Sequence, residues 1–358
     1  MAGALADFGR GQAGRAAPLV HAVVVNRDGA GLLAPCVRHL LECGYPRLAV
    51  TVVDNASGDG SDLATASLFP QISLARNEKN LGFGGGANVG LRLALEQGAD
   101  FAWVLNNDVL APPGVLEGLL GRMAADPTLG ACQPLLVFTD EPGIVQSAGC
   151  GLGLTGRCWD LGAGARSSEI AKCAPAPAAV TGACMLLRVS SLREAGLFDE
   201  KFFMYFEDVE LCLRLVRFGY AVACLAGIQA FHAGSATASK LPPWRRIFWC
   251  ERNALVLAAR HYSPGLALAV LVLGPLSALA AALARLARLQ PAEGLAYLCG
   301  ALAGLTLGLG ALTRRESGGC REITRLVSRG TVFPPKAGAR ILENRAKLRA
   351  SSSTHELG

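Results

Sequence analysis

No two of the twelve cysteines in this 358-residue sequence are spaced C-x-x-C, so neither a zinc-binding knuckle nor a dithiol redox motif can be read from it. Several thiols (Cys184, Cys212, Cys224) lie inside apolar runs instead, which predicts buried, reduced side chains. A secretory signal is also missing. Residues 1–17 are rich in Ala and Gly, interrupted by Asp7, Arg10 and Arg15, and the first apolar strand begins only after them. The expectation is a main domain that stays in the cytoplasm. Charge is scarce, at 17% of residues, and the net +6 gathers beside C-terminal apolar stretches, not in a basic arm. Nucleic acid is therefore not an expected partner. Internal repeats are absent too. What is abundant is hydrophobic residues, at 51%, and glycine, with 43 copies. The mean hydropathy of +0.35 raises membrane contact as an option, and the glycines imply many turns or close backbone approaches.

Residues 19–25 form a β-branched run suited to a strand buried on both faces. Leu32, Leu33, Val37, Leu40 and Leu41 then recur at helical spacing, and Gly44-Tyr45-Pro46 ends the helix. A second strand at 49–53 ends in Asp54-Asn55. Strand, helix and strand make a βαβ unit, whose ligand site lies at the carboxyl ends of its strands. The pattern continues with 72–74, a loop over 77–86, a helix through 89–95, and a strand at 101–105 ending in Asn106-Asn107-Asp108. Pro112-Pro113 and a helix around 116–123 follow. From 130 to 177 the chain reads as short β-like pieces broken by glycines, and regularity returns at 180–189, a helix over 208–218 and a short strand at 220–225.

After Trp244 the character changes. Arg245, Arg246, Arg252 and Arg260 lead into residues 264–284, 21 positions without a charge, and 294–312 adds 19 more. At 1.5 Å per residue the longer stretch reaches about 31 Å, against a bilayer core of roughly 30 Å. The link carries Arg285, Arg288 and Glu293, whereas the outer flanks hold more arginine. That favours a hairpin with both ends, and the main domain, in the cytoplasm; a pair of interfacial or core helices is the other reading. The division is an N-terminal disordered arm over 1–17, an α/β domain over 18–243, a membrane-associated helical region over 244–330, and a tail over 331–358.

Three segments carry chemistry. An Asp at a strand end such as Asp108 is usually a turn or helix cap, and the prolines behind it fit that; it is also placed to point into the crevice as an oxygen ligand for a divalent cation. Next, five bulky apolar residues (202–206) deliver Glu207-Asp208 to a helix start, where acids are at home. Such an approach predicts a desolvated pocket that raises a carboxylate pKa and makes a better general base. Arg214, a turn or two on, is expected to orient or balance these acids. Third, the glycine-rich stretch 80–88 lets backbone N–H groups approach phosphate or ribose, but it follows the third strand, where a dinucleotide fingerprint does not belong. His232, alone at the end of an apolar run, is more often structural than a ligand.

In order along the chain stand Val-Val-Asp-Asn-Ala-Ser-Gly-Asp-Gly-Ser (52–61), Asn-Leu-Gly-Phe-Gly-Gly-Gly-Ala-Asn (80–88), Leu-Asn-Asn-Asp (105–108), Thr-Gly-Ala-Cys-Met-Leu-Leu-Arg (181–188), Gly-Leu-Phe-Asp-Glu (196–200), Tyr-Phe-Glu-Asp-Val-Glu-Leu (205–211) and Phe-His-Ala-Gly (231–234). Together they resemble the family 2 glycosyltransferases of the GT-A fold, in particular the rhamnosyltransferase-like and galactofuranosyltransferase-like members that build bacterial surface polysaccharides. The likeness runs over 19–235, about 60% of the chain. It implies a Rossmann-like mixed sheet flanked by helices and a membrane-associated hexosyltransferase. By the resemblance, Asn26, Asp54, Asn55, Asn80, Leu81, Gly82, Phe83, Asn88, Asn106 and Asn107 bind the nucleotide-sugar. Asp108 and His232 hold the metal, Mg2+ or Mn2+, Asp208 is the base and Glu207 supports it. The implied reaction is inverting transfer from a dTDP- or UDP-linked sugar to a saccharide or lipid-linked acceptor in cell-surface or cell-wall polysaccharide synthesis, at the cytoplasmic face of the membrane. The Asn-x-Asp variant leans the donor towards a dTDP-linked deoxysugar such as rhamnose. Two departures fall at the donor end: Asn106 stands where relatives have Asp, and Arg27-Asp28 replaces the usual Tyr-Asn.

Two other functions fit parts of the sequence. A non-catalytic nucleotide-sugar-binding scaffold of polysaccharide assembly would have the fold but no need for Asp208 and His232. A nicotinamide oxidoreductase would need its glycine loop after the first strand.

Overall fold

The computed structural model describes residues 16–172, 176–234, 241–312, 323 and 325–328. Apart from Ala16 and Ala17, the expected disordered arm and tail lie outside these.

The strands, in chain order, are β1 (Val20–Asn26), β2 (Leu48–Asp54), β3 (Ser73–Arg76), β4 (Phe101–Asn106), β5 (Val109–Leu110), β6 (Leu129–Phe138), β7 (Val145–Ser147), β8 (Cys150–Gly153), β9 (Cys158–Asp160), β10 (Cys184–Arg188), β11 (Ala221–His232) and β12 (Val327–Ser328). The helices are α1 (Leu33–Glu42), α2 (Ser61–Leu68), α3 (Gly82–Glu96), α4 (Val115–Ala125), α5 (Ser167–Lys172), α6 (Val189–Ala195), α7 (Glu207–Arg217), α8 (Pro243–His261), α9 (Pro264–Leu286) and α10 (Pro291–Leu312).

Nine strands form one sheet in the order β3-β2-β1-β4-β10-β6-β11-β5, with β7 beside β6. The β1, β2, β3 and β4 block is parallel, as βαβ units require, while β10 runs antiparallel to both β4 and β6. Strand order reverses direction at β1, because β2 and β4 lie on either side of it. Ligands of open α/β sheets bind at such a switch point, outside the carboxyl ends of the strands. Register sharpens this: Asn26 pairs with Asp54, and Val25 pairs with Asn106, so three polar strand ends come level along one edge. Buried apolar side chains fill both faces of the sheet, with α3, α6 and α7 on one and α1 and α4 on the other.

Two features differ from the expectation. Residues 130–138, expected to begin a run of short β-like pieces broken by glycines, belong instead to one ten-residue buried strand, β6. The short strand at 220–225 and the apolar run ending at His232 are likewise parts of one strand, β11, joined through a register shift between Leu225 and Gln229. Pairing with β6 on both sides of that shift overrides the local breakers. The ten cysteines described are all free, nine of them with thiols that burial pushes above the usual range. The two apolar stretches are continuous helices, α9 and α10, each long and apolar enough to cross a membrane. α8 is not part of that apolar pair: it packs between α10 and the α/β domain.

Candidate active site

A cavity of about 390 Å³ opens at the carboxyl edge of the sheet. Its wall contains Asn55, Asn80, Gly82, Phe83, Asn106, Asn107, Asp108, Glu207, Asp208 and His232, all singled out in the sequence. Asn26, Asp54, Leu81 and Asn88 do not reach it.

These four sit behind the wall. Asn26 is fully buried and donates to Asp54 (2.9 Å) and Ser61 (3.0 Å), while its oxygen accepts from Asn107 (2.7 Å). Asp54 in turn accepts from the Ser57 backbone and hydroxyl. The two strand ends therefore brace the loop 55–61 and the Asn107 side chain. Asn55 holds the next layer, donating to the Gly82 carbonyl (2.8 Å) and accepting from Asn77 and from the Leu81 N–H. Asn88 points away, donating to the Phe198 carbonyl (2.9 Å) and Glu200 (3.0 Å) and accepting from the Phe198 N–H. The glycine-rich stretch is helical from Gly82 onward, not a loop. Its missing side chains permit contact: a Cβ at Gly90 would sit 2.3 Å from Val23 on β1, and one at Gly82, where φ is +76°, would meet the Phe203 carbonyl.

Asp108 follows β4 in a tight turn into β5, and β5 pairs with the end of β11, so Val109 lies opposite His232. This brings His232 Nε2 to 2.9 Å from Asp108 Oδ1, both side chains about 5% exposed or less. The ring's other nitrogen, Nδ1, donates to Gln146 Oε1 at 2.6 Å. In the neutral ring that bond fixes the tautomer and leaves the Nε2 lone pair facing the carboxylate. A lone pair and a carboxylate aimed at one point suit a shared cation, and Asn106 borders them at 3.3 Å. Among the described residues no cluster of three or more His, Cys, Asp or Glu is arranged to hold a metal. Mg2+ commonly takes one or two carboxylates and completes its shell with substrate phosphate oxygens, and Asp108 supplies one such carboxylate here.

The acidic end is built on backbone held in an uncommon conformation. Phe203, Tyr205 and Phe206 all have positive φ, each at a cost on the order of 1 kcal/mol or more. α8 holds them there. The fully buried Asn253 amide lies within hydrogen-bond distance of the Phe202, Met204 and Tyr205 carbonyls (3.1, 3.0 and 2.7 Å), and Trp249 stacks on Phe203 at 5.1 Å. From across the cavity the Phe83 N–H donates to the Phe203 carbonyl (2.9 Å). So fixed, the loop starts α7 with Glu207 and Asp208 pointing inward. The Gly182 N–H donates to Asp208 Oδ2 (2.9 Å) and the Val209 N–H to Oδ1 (2.8 Å). Burial raises the Asp208 pKa and these donors oppose the rise. Glu207 is pushed up to about 8, first by desolvation and then by the Asp208 charge, and its Oε2 has no hydrogen-bond partner among the described residues. Glu207 is thus a neutral acid at pH 7, beside an Asp that ionises first.

Arg214 does not serve this pair. It bonds Glu210 (2.8 Å) and the carbonyls of Ala195 and Leu197, because Glu210 is one turn before it on the same helix face. Sequence reading missed three contributors. The β8–β9 hairpin brings Trp159 and Asp160 into the wall, and enclosure raises Asp160 even though water still reaches it from the cavity. Asn253 acts on backbone fifty residues earlier in the chain. The third, Cys250, joins the wall from α8.

Residues 20–196 match the family model described as glycosyl transferase family 2. The chain is 26% identical over 234 residues to N-acetylglucosaminyl-diphospho-decaprenol L-rhamnosyltransferase of Mycobacterium tuberculosis, covering 60% of this chain and 76% of that protein. It is 31% identical over 231 residues to the O-antigen biosynthesis protein RfbC of Myxococcus xanthus, 62% of this chain but 18% of that one. Among solved structures, a mannosyltransferase from Pyrobaculum calidifontis in complex with GDP-Man and Mn2+ superposes with a TM-score of 0.50 at 18% identity, over 85% of this chain and 95% of that one. At that identity the likeness speaks for the fold. Sheet, cavity and relatives agree: the chain carries a family 2 glycosyltransferase domain with the GT-A fold, and it is a glycosyltransferase.

Proposed function

We propose that the protein is an inverting glycosyltransferase that moves a sugar, rhamnose by preference, from a dTDP-linked donor to a lipid-linked saccharide at the cytoplasmic face of the membrane. The observation that carries the reading is the convergence of Asp208 on the same cavity as the Asp108–His232 pair. The donor's diphosphate lies against Asp108, His232 and Asn106, with its nucleotide towards Asn55, Asn80, Gly82 and Phe83. Asn26 and Asp54 shape that pocket from behind.

Asp208 takes the proton from the acceptor hydroxyl. Each of its oxygens accepts a backbone N–H, which fixes the carboxylate plane, and the residue lines the cavity where the acceptor hydroxyl would arrive. As the O–H bond breaks, the acceptor oxygen bonds the anomeric carbon from the face opposite the diphosphate. The glycosidic C–O pair leaves with the diphosphate, and configuration inverts. The raised Asp208 pKa strengthens the base, while neutral Glu207 keeps a second negative charge away from the reacting hydroxyl. A bound Mg2+ or Mn2+ would supply Lewis-acid stabilisation of the diphosphate charge. Asp108 and His232 would hold it, with the Gln146 bond keeping the imidazole oriented. The cation fits this pair because two acceptors face one point.

Support for a lipid-linked acceptor comes from the rhamnosyltransferase relative, named for a decaprenol-linked substrate, together with the apolar helices α9 and α10. A boundary at 243 would part α8 from the catalytic domain on which it packs, so the boundary belongs after His261. The testing experiment incubates purified protein with dTDP-rhamnose and a panel of UDP- and GDP-sugars plus a polyprenyl-diphosphate-linked N-acetylglucosamine acceptor. Transfer from dTDP-rhamnose with inverted anomeric configuration by NMR is the expected result. Retained configuration, or donor binding without turnover of any sugar, contradicts it.

A further inference from the structure

α9 and α10 are each long enough to span a bilayer, yet their packing argues against it. Gly300, Gly304 and Gly308 form a stripe at four-residue spacing on α10. A Cβ at Gly300 would sit 2.7 Å from the Phe248 carbonyl, one at Gly304 2.7 Å from the Arg252 carbonyl, and one at Gly308 3.4 Å from Ala259. Residue by residue, the middle of α10 therefore runs parallel to and in backbone contact with the middle of α8. Such small-residue stripes let helices approach closely.

Side chains of α8 also reach the catalytic domain over the same length. Glu251 pairs with Arg157 (2.6 Å), Asn253 holds residues 202–205, Arg252 reaches the Phe202 carbonyl, and Arg260 pairs with Asp199. The contact from 248 to 259 covers about 17 Å of helix. If α10 crossed a bilayer, its midpoint would carry the ion pairs of α8 and the wall of the catalytic domain to hydrocarbon depth, where charge and irregular backbone are excluded.

The outer face of the pair is apolar. Of 17 exposed large hydrophobic residues among those described, 13 lie between 264 and 312, among them Leu268, Leu276, Leu283, Leu295, Leu302 and Leu309. The polar side chains Ser277 and Thr306 bond carbonyls of their own helices (2.8 and 2.9 Å). Exposed Arg245, Arg246 and Arg288, with Trp244, stand at the edge where α8 begins and α9 turns into α10. A broad apolar face rimmed at one end by arginine and tryptophan matches an anionic lipid surface.

We infer that α9 and α10 form a pad lying in the plane of one membrane leaflet, with the turn at 287–290 on the same side as the catalytic domain. This rests on the membrane association proposed above and names its geometry. A second cavity, of about 420 Å³, lies at the pad's edge between α8 and the helix turn, lined by Arg246, Glu251, Arg285, Glu293 and Tyr297. It shares Cys250 with the catalytic cavity, so lipid surface and active site adjoin.

The full-length protein, with Arg288→Cys at the turn or Glu96→Cys on the exposed end of α3, is tested in inverted and in right-side-out membrane vesicles with a membrane-impermeant maleimide-polyethylene glycol. Gel shifts are counted above those of the unsubstituted protein, and Leu289→Cys serves as a second turn position. The pad requires both turn positions to label in the same vesicle preparation as Glu96→Cys, to within about twofold. Labelling of the turn only in the opposite preparation means a spanning hairpin and overturns the pad, as does labelling in neither. A parallel flotation assay uses phosphatidylglycerol–phosphatidylethanolamine liposomes. Failure to float refutes the membrane association itself along with the pad, whereas flotation with opposite-side labelling refutes the pad alone.

Discussion

Replacing Glu207 by Gln removes a carboxyl that the fold holds neutral, and the consequence for stability can be worked out. The Glu207 pKa of about 8 in the folded protein lies above the ordinary 4.5. Stability associated with this group is therefore complete below about pH 4.5 and is lost as pH rises through 8, because unfolding releases a proton across that window. At about 1.4 kcal/mol per pH unit, the cost at pH 7 is about 3 kcal/mol. Gln fills the same volume and does not ionise. Glu207→Gln should therefore match the parent near pH 4.5 and exceed its stability increasingly up to pH 8. For a domain of this size, about 3 kcal/mol corresponds to a melting shift of roughly 6–12 °C at pH 7. Differential scanning fluorimetry of both proteins in detergent with chelator, from pH 4.5 to 8.5, reads the difference directly. Parallel melting curves across that range, or a variant less stable at pH 7 than at pH 5 relative to the parent, would refute the desolvated, neutral Glu207.

Asn253→Ala removes the amide that holds residues 202–205, so a stability loss of about 1–3 kcal/mol is expected from the stranded carbonyls. The kcat should fall on the order of a hundredfold through misplacement of Asp208, with donor KM little changed; an unchanged kcat would mean the loop keeps its shape without the clamp. Asp108→Ala and His232→Ala should each weaken Mn2+-dependent protection of the protein by donor nucleotide, read by thermal shift, and exhaustive chelation should abolish transfer. Transfer undiminished by chelation would remove the metal role given to both residues. In the parent, kcat/KM should rise with pH through a carboxylate titration displaced upward from the ordinary Asp range, since burial raises Asp208 and only its ionised form accepts a proton; a flat profile down to pH 4 would contradict that environment.

The parts of the fold set by local pattern were legible. Asn26, Asp54 and Asn106 each close a β-branched or apolar run, and register brings them to one edge. Asp208 and its aromatic approach announced a desolvated pocket, which the upward shifts of Glu207 and Asp208 match. What escaped depends on tertiary contact. β6 contains Gly130 and Pro134 and is a strand only because β10 and β11 flank it. Asn88 was expected in the site from the resemblance and Arg214 from its nearness to the acids, but helix geometry turns them to Glu200 and Glu210. Asn253 carried no motif that marked it, since its partners are carbonyls of a distant loop. The glycine stripe of α10 was hidden inside an apolar run whose hydropathy alone suggested a span.

The central claim is that Asp208 removes the acceptor proton. Transfer of radiolabelled sugar to the lipid-linked acceptor by Asp208→Asn, compared with the parent at equal folded concentration and with nucleotide-sugar binding measured in parallel, tests it most directly. Asn keeps the shape and a hydrogen-bonding oxygen for Gly182 while losing the base. The account predicts donor binding within a few-fold of the parent and a loss of kcat on the order of 10²–10⁴. Transfer at the parental rate by the Asn variant would contradict it.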